Sequence, residues 1–178
     1  MDSERNEPEN PNPAKANDSA VRVRLRDVGQ DDLPAIYEYQ LDPELNCMAA
    51  TKPRTSDEFD RHWKKIFSDP AIFVKAIVVG DVLAGCVSCF KSDGLDSVGY
   101  WVAPEFWGRG IATRALELLL EHVPIRPLHA RVALTNAASL RVLQKCGFRI
   151  VGYQHSPADD RFLECEEAVL ELARDRNE

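Results

Sequence analysis

The residues best suited to chemistry fall in one stretch, Gly99-Tyr-Trp-Val-Ala-Pro-Glu-Phe-Trp-Gly-Arg-Gly-Ile-Ala-Thr113. The pattern predicts a strand ending at Val102 and Ala103, a short loop holding Gly108 and Gly110, and a helix that begins at once. Glycines at such a junction let backbone approach a ligand closely, and the unpaired N–H groups of a first helical turn attract phosphate or pyrophosphate. A plain strand-to-helix turn would use the same Gly-x-Gly. The better-known phosphate loops do not fit, because no Gly-Lys-Ser/Thr follows and no third glycine stands at dinucleotide spacing. Charge points to an anionic ligand as well. Residues 104–150 hold seven basic and three acidic side chains, a local +4 in a chain of net charge −7. Arg109 and Lys145 belong to that set, as do Arg114 and Arg141, which read as solvated helix faces.

A second stretch is Asn136-Ala-Ala-Ser-Leu-Arg-Val-Leu-Gln-Lys-Cys-Gly-Phe148. Asn136 at a strand-to-helix junction would serve as an ordinary helix cap, and Ser139 would sit in the first turn. Cys86-Val-Ser-Cys89 imitates a metal pair. On a strand, residues three apart face opposite sides, so the two thiols cannot share one ion. Buried strand cysteines are the reading, and no metal site is expected.

Together the two glycine- and asparagine-bearing stretches resemble the GNAT acetyltransferase superfamily. Trp107-Gly-Arg-Gly-Ile-Ala112 looks like its acyl-coenzyme A pyrophosphate loop, Arg/Gln-x-x-Gly-x-Gly/Ala. Tyr100-Trp-Val-Ala-Pro-Glu-Phe-Trp-Gly108 and Asn136-x-x-Ser139, with Gly147-Phe148, are similar to the branch that includes ribosomal-protein N-terminal (alanine) acetyltransferases. The resemblance covers residues 21–172. It implies that the main chain of Val102 meets the pantetheine of acetyl-CoA in a gap between two splayed strands, and that Gly108, Arg109, Gly110, Ile111, Ala112 and Thr113 bind the pyrophosphate. It also implies that Asn136 holds the pantetheine arm and that Ser139 lies near the thioester sulfur as an acid for the leaving thiolate. One position departs from the branch. An acidic residue commonly stands two places before the Gly-Tyr pair, and here that residue is Ser97. Asp96 beside it would face the other way. Glu164, Glu166, His62 and His155 are further candidates without positional support, so the general base stays unassigned, water included.

These motifs need elements to hold them. Val21, Val23 and Leu25 alternate with arginines as in a half-exposed strand. Leu33, Ile36, Tyr37 and Leu41 follow at helical spacing, and Ser56 would cap a second helix with Phe59, Trp63, Ile66 and Phe67 on one face. Ile72–Val79 and Val82–Phe90 read as a hairpin turning at Gly80-Asp81, and Ser97–Val102 as the next strand. Ile111–Val123 is an amphipathic helix ended by Pro124, His129–Leu134 a strand, and Asn136–Cys146 a helix closed by Gly147. Phe148–Gln154 and Phe162–Leu172 complete the order β-α-α-β-β-β-α-β-α-β-β. The fold class is α/β (α+β), with a mixed, mostly antiparallel central sheet of about six to seven strands. It is splayed at the cofactor site and flanked by helices.

Residues 1–20 read as a disordered acidic tail containing three of the 11 prolines, and residues 21–178 as one acetyltransferase domain. An acidic chain is a poor partner for nucleic acid or an anionic membrane. No apolar run approaches the ~20 residues of a bilayer span, and MDSERNEPEN lacks the shape of a signal peptide. Five cysteines, an odd count, fit reduced thiols in a cytoplasmic protein. The reading is acetyl transfer from acetyl-CoA to a primary amine, either a protein N-terminus or a small molecule, by a monomer or homodimer. The acidic remainder of the chain mildly favours a cationic acceptor. The rival reading is a non-catalytic acyl-CoA-binding module.

Overall fold

The computed structural model describes residues 22–174, so the expected tail at 1–20 lies outside the described residues. Seven strands form one sheet: β1 (Val23–Asp27), β2 (Phe73–Val79), β3 (Val82–Ser92), β4 (Leu95–Val102), β5 (Leu128–Ala133), β6 (Arg149–Ser156) and β7 (Cys165–Leu172). Their spatial order is β1-β2-β3-β4-β5-β7-β6. Every neighbouring pair is antiparallel except β4 with β5, which run parallel and pair at Ser97 with His129. That contact is at the start of both strands. Beyond it, toward Val102 and Ala133, no rungs join them, so the sheet opens between β4 and β5 as expected.

Among the described residues, five α-helices flank the sheet: α1 (Leu33–Gln40), α2 (Pro43–Ala49), α3 (Ser56–Ser68), α4 (Ile111–His122) and α5 (Ala137–Lys145). On one face Ile77, Val87, Cys89 and Val98 pack against Ile111, Leu116 and Leu119 of α4 and Leu143 of α5. On the other face Ala76, Val78 and Cys86 pack with Ile36 of α1 and with Phe59 and Trp63 of α3. The period of two along each strand divides the residues between these cores. It sends Cys86 and Cys89 to opposite faces, and no metal-ligating cluster occurs among the described residues. Because β2 and β3 are covered on both sides, they read as nearly continuous apolar runs.

Three sequence expectations shift. Helix α2 was not anticipated, since seven residues are too few to display periodicity. Its signals are Asp42, whose carboxylate accepts from Glu44 N and Leu45 N at 2.8 and 3.0 Å, and Pro43 at the first helical position. The cap of α3 is Thr55 rather than Ser56, in a capping box with Glu58. The last strand starts at Cys165 rather than Phe162. Residues 157–164 leave the sheet instead, and Phe162 forms a bridge with Thr51 beyond α2.

Candidate active site

The open seam between β4 and β5 is a cleft of about 340 Å³, within the usual size of a small-ligand site. Its walls come from the end of α2, from β4 and the loop after it, from the first turn of α4, and from α5 as far as Lys145. Ala103 N donates to Ala84 O on β3 at 2.8 Å. In an antiparallel ladder successive residues alternate sides, so Val102 turns its amide away from β3 and into the seam. Its carbonyl already accepts from Trp107 Nε1 at 2.6 Å, which leaves the Val102 N–H facing the opening.

The glycine loop follows directly. Gly108 and Gly110 hold φ of +72° and +73°, a left-handed backbone that disfavours any side chain. A Cβ at either position would meet nothing within 4 Å. Conformation and open approach therefore call for these glycines, rather than tight packing. Gly110 caps α4 with no side-chain acceptor, so the N–H groups of Ile111, Ala112 and Thr113 keep their donors for another partner. Those three residues line the cleft together with Gly108 and Gly110. Arg109 departs from its expected place: its guanidinium stands over the Phe106 ring, 5.5 Å from the centroid, and outside the cleft wall. Arg141 is exposed, as expected of a solvated helix face, and it also lines the cleft, as does Lys145. Arg114 is the surface residue expected, paired with Glu117 and Glu121.

At the other wall Asn136 caps α5 by accepting from Ser139 N at 3.0 Å, while its Nδ2 donates to Met48 O of α2 at 2.9 Å. The asparagine thus ties together the cleft, α5 and the helix missing from the sequence reading. Ser139 Oγ lies 2.8 Å from the hydroxyl of Tyr100, which is also 3.2 Å from Ser139 O. Burial is the main influence holding the Tyr100 phenol up at about 12, against the opposing Ser139 hydrogen bond. It therefore stays a neutral donor at any physiological pH. When Tyr100 donates to Ser139 Oγ, the serine hydrogen is released toward the cleft. Sequence reasoning missed this role for Tyr100. Alternation along β4 sets it on the face of Val98 and Val102, but its partner is fixed only when α5 packs against the sheet.

Among the described residues, no carboxylate or imidazole lines the cleft. Ser97 Oγ turns back to Leu95 O at 3.3 Å, and Asp96 pairs with Lys91 at 3.0 Å. His155 bridges Glu166 and Glu164 at 2.9 and 3.3 Å on the exposed β6–β7 ribbon. His62 sits on α3, where burial first and then the charges of Arg54, Arg161 and Lys65 lower it to about 4. The structure brings none of the four candidate bases to the thiol end of the seam.

Comparison with known proteins adds three findings. A family model described as an acetyltransferase (GNAT) domain matches residues 22–149. A search of curated proteins finds no match. Among solved structures, the chain resembles spermidine N-acetyltransferase from Vibrio cholerae in complex with CoA and spermine, at 18% identity and TM-score 0.74 over 85% of this chain and 95% of that one. It also resembles RimJ from Mycobacterium smegmatis in complex with CoA-disulfide (22%, TM-score 0.71, 86% and 83%). A third is the Salmonella typhimurium acetyltransferase that modifies the N-terminal serine of ribosomal protein L7/L12 (18%, TM-score 0.72, 88% and 97%).

Proposed function

The chain belongs to the GNAT acetyltransferase family, and from that premise we propose that it transfers an acetyl group from acetyl-CoA to a primary amine while both are bound. The observation that carries this reading is the cleft itself, with uncapped α4 amides at one end and the Tyr100–Ser139 pair at the other. The donor set fits acetyl-CoA. The amides of Ile111 to Thr113, backed by Lys145 and Arg141, would take the pyrophosphate. The Val102 N–H would extend a strand-like bond to the pantetheine amide. Acetyl-CoA supplies an activated thioester, and the amine nitrogen bonds to its carbonyl carbon as the carbon–sulfur bond breaks. The chain contributes position, which converts the encounter into an effectively intramolecular step. Ser139 gives its proton to the departing sulfur and regains one from solvent, with Tyr100 orienting the hydroxyl. The attacking amine enters neutral and loses its proton to water, since no carboxylate or imidazole of the described residues lines the cleft. V. cholerae spermidine acetyltransferase and the S. typhimurium L7/L12 enzyme represent the two acceptor types, small amine and protein N-terminus.

That same lack of a base in the wall favours a second reading, an acyl-CoA-binding module without turnover. One experiment separates them: incubation with acetyl-CoA and a panel of primary amines, reading both free thiol and acetylated product by mass. Amine-dependent thiol release with matching product is expected. Thiol release that ignores the amine would be hydrolysis only, and binding without release would leave the module.

A further inference from the structure

We propose that the acceptor carries an oxyanion, a carboxylate or a phosphate, held beside the cleft by the guanidinium groups of Arg54 and Arg161. This rests on the amine-acetylation reading above. Two hydrogen bonds hold the Arg161 segment there: Lys52 N donates to Arg161 O and Leu163 N to Ala50 O, both at 2.8 Å, which together make the bridge between Thr51 and Phe162. The loop between β6 and β7 is thereby fastened to the end of α2, whose Met48 lines the cleft and accepts from Asn136. Arg54 is fixed through its backbone, as Gln40 accepts from Arg54 N and donates to Arg54 O, both at 2.9 Å. The main chains are anchored and the charged ends are left over.

Among the described residues those ends meet no acid, and the Arg161 guanidinium only stands over the Phe162 ring, 5.9 Å from its centroid. Nη1 of Arg161 is buried without a hydrogen bond, and among the described residues neither guanidinium forms an ion pair. The acids whose charge acts on them, Glu58 on Arg54 and Asp159 on Arg161, are committed to other donors. Glu58 accepts from Thr55 N and Oγ1 at 2.8 and 2.9 Å, and Asp159 accepts from Arg161 N and Phe162 N at 2.7 and 2.6 Å. Lys52 and Lys65 add positive charge to the same neighbourhood. Burial and the neighbouring Arg54 push Arg161 down to about 10, still charged at neutral pH. Burial also lowers Arg54, partly offset by Glu58. His62, neutral above about 4, offers a hydrogen-bonding nitrogen without further charge. Folding that keeps two like charges half-buried and unpaired works against stability, as sites held ready for a ligand do. The forked donors match carboxylate and phosphate oxygens. A cationic acceptor, favoured by overall charge, would meet repulsion here.

The test uses calorimetry on the full chain saturated with CoA, so that the seam is already filled. The probes are O-phosphoethanolamine against ethanolamine and β-alanine against β-alanine amide. At least one anionic member should bind about 10- to 100-fold more tightly than its neutral partner, and the pair that shows this identifies the anion. Arg161→Met and Arg54→Gln should each abolish the preference, and Arg161→Met should raise Tm because an unpaired charge is gone. Equal affinity within both pairs, a preference that survives both substitutions, or a Tm lowered by Arg161→Met would overturn the proposal. Acetylated product from each amine, measured with acetyl-CoA, keeps the two readings apart. Neutral and anionic amines acetylated alike would end the anion site and leave the transferase. Arginine-dependent binding without product would do the reverse.

Discussion

The seam between β4 and β5 and the junction of α2 with the β6–β7 loop meet through one hydrogen bond, Asn136 Nδ2 to Met48 O, yet they are built from different materials. The seam presents main-chain donors: the Val102 amide, a left-handed glycine loop and the first turn of α4. Its side chains are mostly satisfied, with Asn136 capping, Tyr100 bound to Ser139 and Trp107 bound to Val102. The junction presents side chains, and these are unsatisfied: two guanidiniums without acids and an imidazole kept neutral. Backbone recognition suits a ligand part that never varies. Side-chain recognition can be changed one substitution at a time, which suits the part of the reaction that distinguishes one acetyltransferase from another.

The sharpest way to break this contrast is at Ser139, the seam residue proposed to move a proton through its side chain. Ser139→Ala should lower kcat by about 10²–10⁴-fold, the range of a positioned general acid, with acetyl-CoA affinity nearly unchanged. Tyr100→Phe should follow with a smaller loss, because the serine hydroxyl would remain but lose its orienting partner. Full turnover by Ser139→Ala, with only Tm reduced, would make the seam a purely main-chain site.

Next in size is Gly110→Val. The left-handed φ of +73° makes any side chain strained there, so about 1–2 kcal/mol of stability should be lost. The larger consequence should be weaker acetyl-CoA binding by calorimetry, since the valine would stand where an anion approaches the α4 amides. A folded variant with unchanged affinity would remove the loop from the site.

The same division explains what the sequence disclosed. Gly108, Gly110 and Asn136 follow turn geometry and helix capping, which are local rules, so two short segments suffice to place them at their strand-to-helix junctions. The strands were legible for a similar reason, because alternation and hairpin turns are contiguous. Arg54, His62 and Arg161 lie on three separate segments, brought together by a bridge between Thr51 and Phe162. Nothing in a local window shows that. Phe162 and Leu163 even mislead, since apolar residues next to a strand look like more strand. Helix α2 hid because its start signals, Asp42 and Pro43, precede too few apolar residues to mark a face. Arg109 stands over Phe106 while the exposed Arg141 lines the cleft, because charge content along a segment does not say which way a side chain points.

The smallest expected effect tests the junction through pH. His62 is lowered to about 4 by burial and by Arg54 and Arg161, whereas in the unfolded chain it titrates near its ordinary ~6.5. Between those values the unfolded state binds a proton that the native state refuses. Stability should therefore be complete above about pH 6.5, decline as pH falls toward 4, and lose nothing further from this group below that. Solvent reaches part of the imidazole, so the screened effect should amount to about 1 kcal/mol. Carboxylates titrate in the same window, and the readout is the difference between the wild type and His62→Gln in denaturant melts at pH 7 and pH 4.5. The variant should lose less stability on acidification. Adding Arg161→Met to the wild type should shrink the His62 contribution, because one of the charges opposing protonation is removed. Equal acid sensitivity of wild type and His62→Gln would mean that the imidazole does not feel the arginines, and the positive cluster at the junction would lose its second witness.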